Sequence, residues 1–390
     1  MVEGELRKHT ADICALLRGE AELRPEYHRD DMIDSFLWET AYHGVQPLIQ
    51  QRMQAQRDLK QTWPAKIVSR CFEASICHAM WERRHRELLE KVFEKLSSAG
   101  IIPIVFKGTA LAYSVYPAPF LRNRGDTDVI VPEGMQGRAG EVLEAAGFRC
   151  ETGERGDVVT YQAPFTCRDQ HTDPHEVDLH WRINDSQVLS KLFSYDELAA
   201  ESRALPALSR HARGIGPVHA LLIACMHRAG HRQCPVFFGG EEHYGGDRLI
   251  WLYDIFLLAV KFDAKLYREF VTRAIEKGLA RVCLEGLEDA RACFKADIPA
   301  QVLQELREAG DGAASHYLAS SVLRQYFLNF MAAGGVQGKS KFVFQMFFPP
   351  ATYMRRLYSD VRPNWLPWLY VRRAYGEVAK RVYRTLSNMA

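Results

Sequence analysis

None of the nine cysteines, at 14, 71, 77, 150, 167, 225, 234, 283 and 293, stands in a C-x-x-C pair. An odd count without paired spacing argues against a disulfide framework and against the common zinc-ribbon patterns, so the thiols are expected to be reduced and mostly buried. Long apolar runs are missing too: Trp251 to Val260 is short and carries Asp254, whereas a membrane helix needs about 20 apolar residues. Val2 to Lys8 shows no charged-then-apolar leader, which makes a cytoplasmic protein the expectation. Net charge is scarce as well. Fifty Lys and Arg against 48 Asp and Glu leave a formal +2, so charge gives no reason to expect nucleic acid as a partner.

What is present supports a large folded enzyme. A chain of 390 residues with a 47% hydrophobic share predicts two or three subdomains around one or two full cores. Residues 1–99 read as an N-terminal helical region, with a long helix starting at Pro64 and closing at Gly100. Leu88, Leu89, Val92, Phe93 and Leu96 fall on one face of it, as core residues do. Residues 100–185 alternate strand and helix and form the expected catalytic core, with a helix closing at Gly147 and an alternating strand over 158–163. Helices return over 186–345 as a C-terminal helical domain, with stripes at 218–228, 248–260, 264–276, 279–296 and 316–331. A basic aromatic segment, 346–390, ends the chain. The fold class is α+β, a mixed sheet with flanking helices between two helical regions.

The chemistry concentrates at Asp126 and Asp128. They stand two apart at the start of an apolar strand, so both point to one side of it. Two acids so close raise each other's pKa, a cost that a divalent cation removes. A third acid, Asp178, comes 50 positions after Asp128 in the alternating segment from His175 to Trp181, on one face with Glu176 and His180. Three carboxylates on neighbouring strands can hold Mg²⁺ and leave positions for phosphate oxygens, the equipment of phosphoryl or nucleotidyl transfer. The bland alternative for an Asp-x-Asp is a turn cap or a solvated edge. Upstream, Ile101 to Phe106 reads as a buried strand, followed by a tight turn at Gly108 and a helix from Thr109. Such a turn offers backbone N–H groups to an anion, and Lys107 adds a point charge.

The residues Phe106-Lys107-Gly108, the run Arg122, Arg124, Gly125, Asp126, Thr127 and Asp128, and Val177-Asp178-Leu179-His180-Trp181 together resemble the bacterial uncharacterised nucleotidyltransferases of the DNA polymerase beta-like superfamily. The likeness reaches more weakly to His227, to Arg248 through Asp254, and to Phe348 through Arg355. It implies a polymerase beta-like mixed sheet, Mg²⁺ or Mn²⁺ on Asp126, Asp128 and Asp178, and a nucleoside triphosphate donor. Asp178 would take the proton of an acceptor hydroxyl while pyrophosphate leaves. The acceptor is a small molecule, sugar or peptide of unknown identity. The superfamily's usual turn is Gly-Ser, and this chain has Lys107-Gly108-Thr109 instead. Two other classes stay open: a phosphoryl- or glycosyl-group transferase on the same acids, and a non-catalytic nucleotide-binding module.

Donor phosphates are assigned to Lys107, the backbone at Gly108, Thr109, and Arg122 or Arg124. Each arginine reads equally as a loop ion pair to Asp126 or Asp157. The loop 230–246 is either a lid or a passive connection. His227, His231, His243 and Asp247 follow no tight zinc pattern; His171, Asp173, His175 and His180 are the denser zinc candidate, but an oxygen-rich magnesium site explains the acids better, and His180 can serve by orienting a carboxylate. From Tyr353 onward, eight Lys or Arg and seven Tyr or Trp oppose Asp360 and Glu377. Peripheral contact with anionic lipid, docking of a phosphorylated acceptor, and a solvated helix face with its aromatics packed inward all fit that pattern.

Overall fold

The alternating segments of residues 101–180 come together as one mixed seven-stranded sheet. The computed structural model describes residues 8–20, 25–150, 156–232, 236–243, 247–358, 361 and 365–387. The strands are β1 (Ile104–Phe106), β2 (Asp126–Ile130), β3 (Arg149–Cys150), β4 (Gln162–Arg168), β5 (Pro174–His180), β6 (Arg203–Ala204) and β7 (Arg213–Gly214), in the order β3-β4-β5-β2-β1-β7-β6. β2 and β5 run parallel, as do β1 and β7, and the other pairs are antiparallel. The two-residue repeat of the strands divides their side chains between two cores. Val105, Val129, Val177 and Leu179 face the long helix Ala65–Ser98 through Leu89, Val92, Phe93 and Leu96. Ile104, Phe106 and Ile130 face the opposite way and join a larger core with the helices Pro217–His231 and Leu249–Ala259. Asp126 and Asp128 share the parity of Ile130, so they point toward those two helices.

The long helix starts at Ala65 behind Pro64 and ends before Gly100, whose φ of +74° is the left-handed stop that a helix end favours. Several expectations need correction. The strand expected over 158–163 begins only at Gln162, because the Val158 and Tyr161 amides donate to the side chains of Gln345 and Asp185 and make no ladder. The helix expected over 316–331 is two, Ala313–Ala319 and Val322–Ala332. The Ser320 hydroxyl donates back to the His316 carbonyl at 2.7 Å while its own backbone is extended, and the chain breaks there. Within the loop 230–246, residues 236–243 form a hairpin of Val236–Phe238 with Glu241–His243. Gly239 and Gly240 supply the two positive φ angles, 63° and 85°, of its two-residue turn. Cys234, Pro235, Gly245 and Gly246 lie outside the described residues. His243 and Phe238 pack edge-on against Trp38 and Tyr42, so His243 belongs to an aromatic cluster. Of the described cysteines, only Cys14, Cys71, Cys225 and Cys283 are fully buried. No described helix is long and apolar enough to cross a membrane.

Candidate active site

Strand register brings the acids together. β2 and β5 align Asp126 with Glu176 and Asp128 with Asp178, so the sequence-distant Asp178 stands beside Asp128 on the same face. Ligand atoms of Asp128, Asp178 and His180 all lie within 4.8 Å of one another. This tight group differs from the Asp126, Asp128 and Asp178 set expected from the sequence. Asp126 stands outside it, one pleat away at the strand start, and His180 takes its place. The imidazole Nε2 lies 3.0 Å from Asp128 Oδ1, so His180 holds that carboxylate in place.

Lys107 supplies the nearest positive charge. Its Nζ donates to Asp128 Oδ1 at 2.5 Å. Burial would raise the Asp128 carboxyl, but Lys107 and His180 outweigh it and hold the group well below the usual carboxylate range. Asp178 makes no ion pair among the described residues, and the nearby His180 offsets only part of its burial. Burial first, then the charges of Asp128 and Asp126, push it up to about 7. Asp126 is also raised, by burial and by Asp128, against the pull of Lys107, Arg122 and Arg124. Three carboxylates thus share one ammonium, and a divalent cation matches that deficit in charge and in donor type: hard oxygens with one imidazole behind them.

The turn that carries Lys107 differs from expectation. The left-handed residue is Lys107 itself, with φ at +54°, and the helix Lys107–Ser114 starts there, before Thr109. A side chain in that conformation costs about 1 kcal/mol, and the Nζ contact with Asp128 offsets it. Gly108 is an ordinary helical residue lining the cleft, where an added methyl would meet the Arg122 and Arg124 side chains at van der Waals distance. Thr109, expected among the phosphate contacts, has its hydroxyl engaged within the protein. Its hydroxyl is buried against Thr127 Oγ1, the Asp126 carbonyl and Arg124 Nε, so it braces the helix on β2.

Both arginines are paired, though with neither expected partner. Arg122 forms a buried fork with Asp254, Nε to Oδ1 at 2.8 Å and Nη2 to Oδ2 at 2.7 Å. Arg124 Nη2 donates to Glu82 at 2.7 Å, and Asp157 instead takes Lys341. Both arginines still line the cleft, but their charge is already engaged.

That cleft, about 550 Å³, lies between the acids and the helices Pro217–His231, Leu249–Ala259, Ala313–Ala319 and Val322–Ala332. Its size suits a small-molecule ligand. Its far wall carries Arg248, Trp251, His227 and His231. Arg248 differs from the other arginines here. Nε donates to the Tyr42 carbonyl at 2.7 Å and the guanidinium lies 5.7 Å from the Trp251 ring, but no described carboxylate pairs with it. Burial and the repulsion of Arg122 lower its pKa to about 10, the mark of a cation held without a counter-ion. Strand and motif logic does not place Arg248 at the acids. Its only sequence signal is the weaker likeness over 248–254.

The histidines outside the tight group are structural. His85 lies on the opposite sheet face, 2.7 Å from Thr127 Oγ1 and stacked on Trp81, and it contacts His175. His171 is exposed and sits in the turn with Asp169. His227 and His231 stack on each other and on Trp251. Burial is the main cause that lowers His231 to about 4 and drives His227 well below its ordinary value. An unfolded His231 takes up a proton near pH 6.5 and the folded one does not, so its contribution to stability is complete above pH 6.5 and is lost as pH falls toward 4. His231→Phe is therefore expected to shrink the loss of unfolding free energy between pH 7 and 4.5 by about 2 kcal/mol, measured by urea titration. An unchanged slope would show that His231 titrates normally.

Comparison with known proteins adds one match. The sequence profile of a family described as uncharacterised nucleotidyltransferase matches residues 30–295, well over half of the chain. The match covers β1 through β7, all three acids, Lys107 and the cleft wall through Asp254. No curated protein matches the chain, and no solved structure does.

Proposed function

Because the chain belongs to the family of uncharacterised nucleotidyltransferases, we propose that it is a metal-dependent enzyme of the polymerase beta-like type. It moves a nucleoside monophosphate from a nucleoside triphosphate to a hydroxyl acceptor and releases pyrophosphate. The observation that carries this reading is the register of β2 and β5, which sets Asp178 beside Asp128, with Asp126 on the same face, at the floor of a cleft of nucleotide size.

Asp126, Asp128 and Asp178 would hold Mg²⁺ or Mn²⁺, with His180 fixing Asp128 from behind. A bound divalent cation supplies charge neutralisation of the donor phosphates and acidifies the acceptor hydroxyl. The protein's own part is positioning and proton transfer. Asp178, in register with Asp128, is the group that takes the hydroxyl proton. The acceptor oxygen forms its bond to the α-phosphorus as the bond to the bridging oxygen breaks, and the electron pair leaves on pyrophosphate. Lys107 and the backbone at Gly108 meet the phosphates from the sheet side. Arg248 meets them from the helical wall, where its guanidinium has no carboxylate partner among the described residues. Arg122 and Arg124, being paired, act by holding this frame.

The test is incubation of the protein and each labelled nucleoside triphosphate with Mg²⁺ or Mn²⁺ and a cell extract. Divalent-dependent transfer of label with release of pyrophosphate supports the reading, release of a nucleoside diphosphate moves it to another transferase class, and no divalent-dependent thermal shift with any triphosphate defeats it. Arg248→Ala is expected to raise the donor KM by about tenfold to a hundredfold, the cost of one charge-assisted contact. Initial rates over a range of triphosphate concentrations would check this, and an unchanged KM removes Arg248 from the donor site.

A further inference from the structure

The formal charge of +2 conceals a segregation. Residues 322–376 hold eight Lys or Arg and a single acid, Asp360, so the remainder of the chain is net acidic. The same stretch holds 15 of the 21 large hydrophobic side chains exposed in the structure. They are arranged in stripes. On the helix Val322–Ala332, Leu323, Tyr326, Phe327 and Met331 recur at helical spacing and face outward, and no residue of that helix is buried. On the helix Gly335–Phe347, Val336, Val343, Phe344 and Phe347 do the same, and only Phe342 is buried. The two helices border an apolar groove that includes Phe330, Phe344, Phe347 and Phe348. Trp365, Trp368, Val371 and Tyr375 extend the pattern along Leu366–Ser387, which adjoins through the Phe348–Tyr370 ring contact and the Arg373 bond to the Met346 carbonyl. Of the aromatics from Tyr353 onward, Tyr353 is buried with Met354 and Leu369, and Tyr358 and Tyr370 pack against them, as the inward-packed reading expects, whereas Trp365, Trp368 and Tyr375 are 66%, 43% and 77% exposed. Asp360 and Arg362, and the side chains from Glu377 onward, lie outside the described residues.

We propose that this face docks the protein on the surface of an anionic lipid bilayer. A helix normally turns its apolar stripe to the core, and a stripe turned outward marks a surface that another phase or molecule covers. Charge decides between occupants. A second copy would bring one cationic face against another, whereas anionic headgroups supply the missing counter-charge and the headgroup boundary takes Trp and Phe rings. Among the described residues, Arg324, Lys339, Arg355, Arg356 and Arg372 enter no ion pair, while Lys341 is held by Asp157. With no described helix able to cross a membrane, the contact is interfacial. The face lies C-terminal to the family match.

Co-sedimentation of the full chain with vesicles tests this without any activity assay. Vesicles of mixed phosphatidylglycerol and phosphatidylcholine are expected to bind at least tenfold more protein than phosphatidylcholine alone, with the excess lost as salt rises from about 0.1 to 1 M. Arg355→Glu with Arg356→Glu is expected to lower the partition coefficient by more than tenfold, since each cation near such a surface is worth about fivefold. Phe344→Ser with Phe347→Ser is expected to lower it as well, with no change in melting temperature, because both rings are already in solvent. Equal partition into both vesicle types, or into neither, overturns the proposal. So does a dimer by sedimentation velocity that the Phe344→Ser and Phe347→Ser variant converts to monomer, which would make a second copy the occupant.

Discussion

Asp128→Asn is expected to lose nucleotidyl transfer by about a thousandfold or more while the protein stays folded. On the proposed mechanism several kcal/mol of transition-state charge stabilisation depend on the metal site, and each 1.4 kcal/mol or so is a factor of ten in rate. Asp128 is the residue on which the site converges: it accepts from Lys107, adjoins His180, and stands in register with Asp178. The amide keeps the shape and an acceptor oxygen but removes the charge that a divalent cation needs. Folding should suffer less than activity. The Lys107 ammonium still faces Asp126 and Asp178, and Asp178 loses the largest of the charges that raise its pKa. Pyrophosphate release against Mg²⁺ concentration, with circular dichroism melting as the control, separates the two effects. Transfer within tenfold of the parent, at any cation concentration, would remove Asp128 from the chemistry.

Asp254→Ala tests the frame rather than the reaction. It leaves Arg122 buried with its fork unmatched and strips the Tyr116 hydroxyl of its 2.7 Å acceptor. Removing one partner of a buried ion pair costs about 3–5 kcal/mol, because the other charge stays out of water without compensation. The pair ties the run before β2 to the helix Leu249–Ala259, so the loss should appear both as a lower urea midpoint and as a weakened cleft. Adding Arg122→Met to the Asp254→Ala chain should return part of the stability, since the stranded charge goes with it. If the single substitution costs less than about 1 kcal/mol, the cost expected of a surface pair, the fork is not a structural tie.

A period of two at Asp126 and Asp128 dictates that they share a face whatever the fold, and the same parity places Glu176, Asp178 and His180 together. Which two strands lie side by side is a different matter. Nothing local to 126–128 or 174–180 encodes parallel pairing in register, and that pairing alone puts Asp178 next to Asp128 and His180 nearer to it than Asp126 is. Lys107 shows the same limit. Its neighbourhood reads as an anion turn, yet the left-handed residue is the lysine and not the glycine, because the Asp128 contact outweighs a backbone preference of about 1 kcal/mol.

The arginines and the C-terminal stripes mark the other boundary. A guanidinium looks the same in a sequence whether it is bound to Glu82, forked on Asp254 or, like Arg248, without a described carboxylate partner. Only the packed partners distinguish these, and they lie from 42 to 132 residues away where a partner exists. Likewise, helical periodicity over 322–376 announces an apolar stripe but not which way it turns. Local chemistry by itself determined the long helix, the parity of the acids and the charge of each segment, because those depend on neighbours in the chain. Tertiary structure decided strand order, ion-pair partners and which apolar faces remain in water, because those depend on surfaces that meet only after the chain has folded.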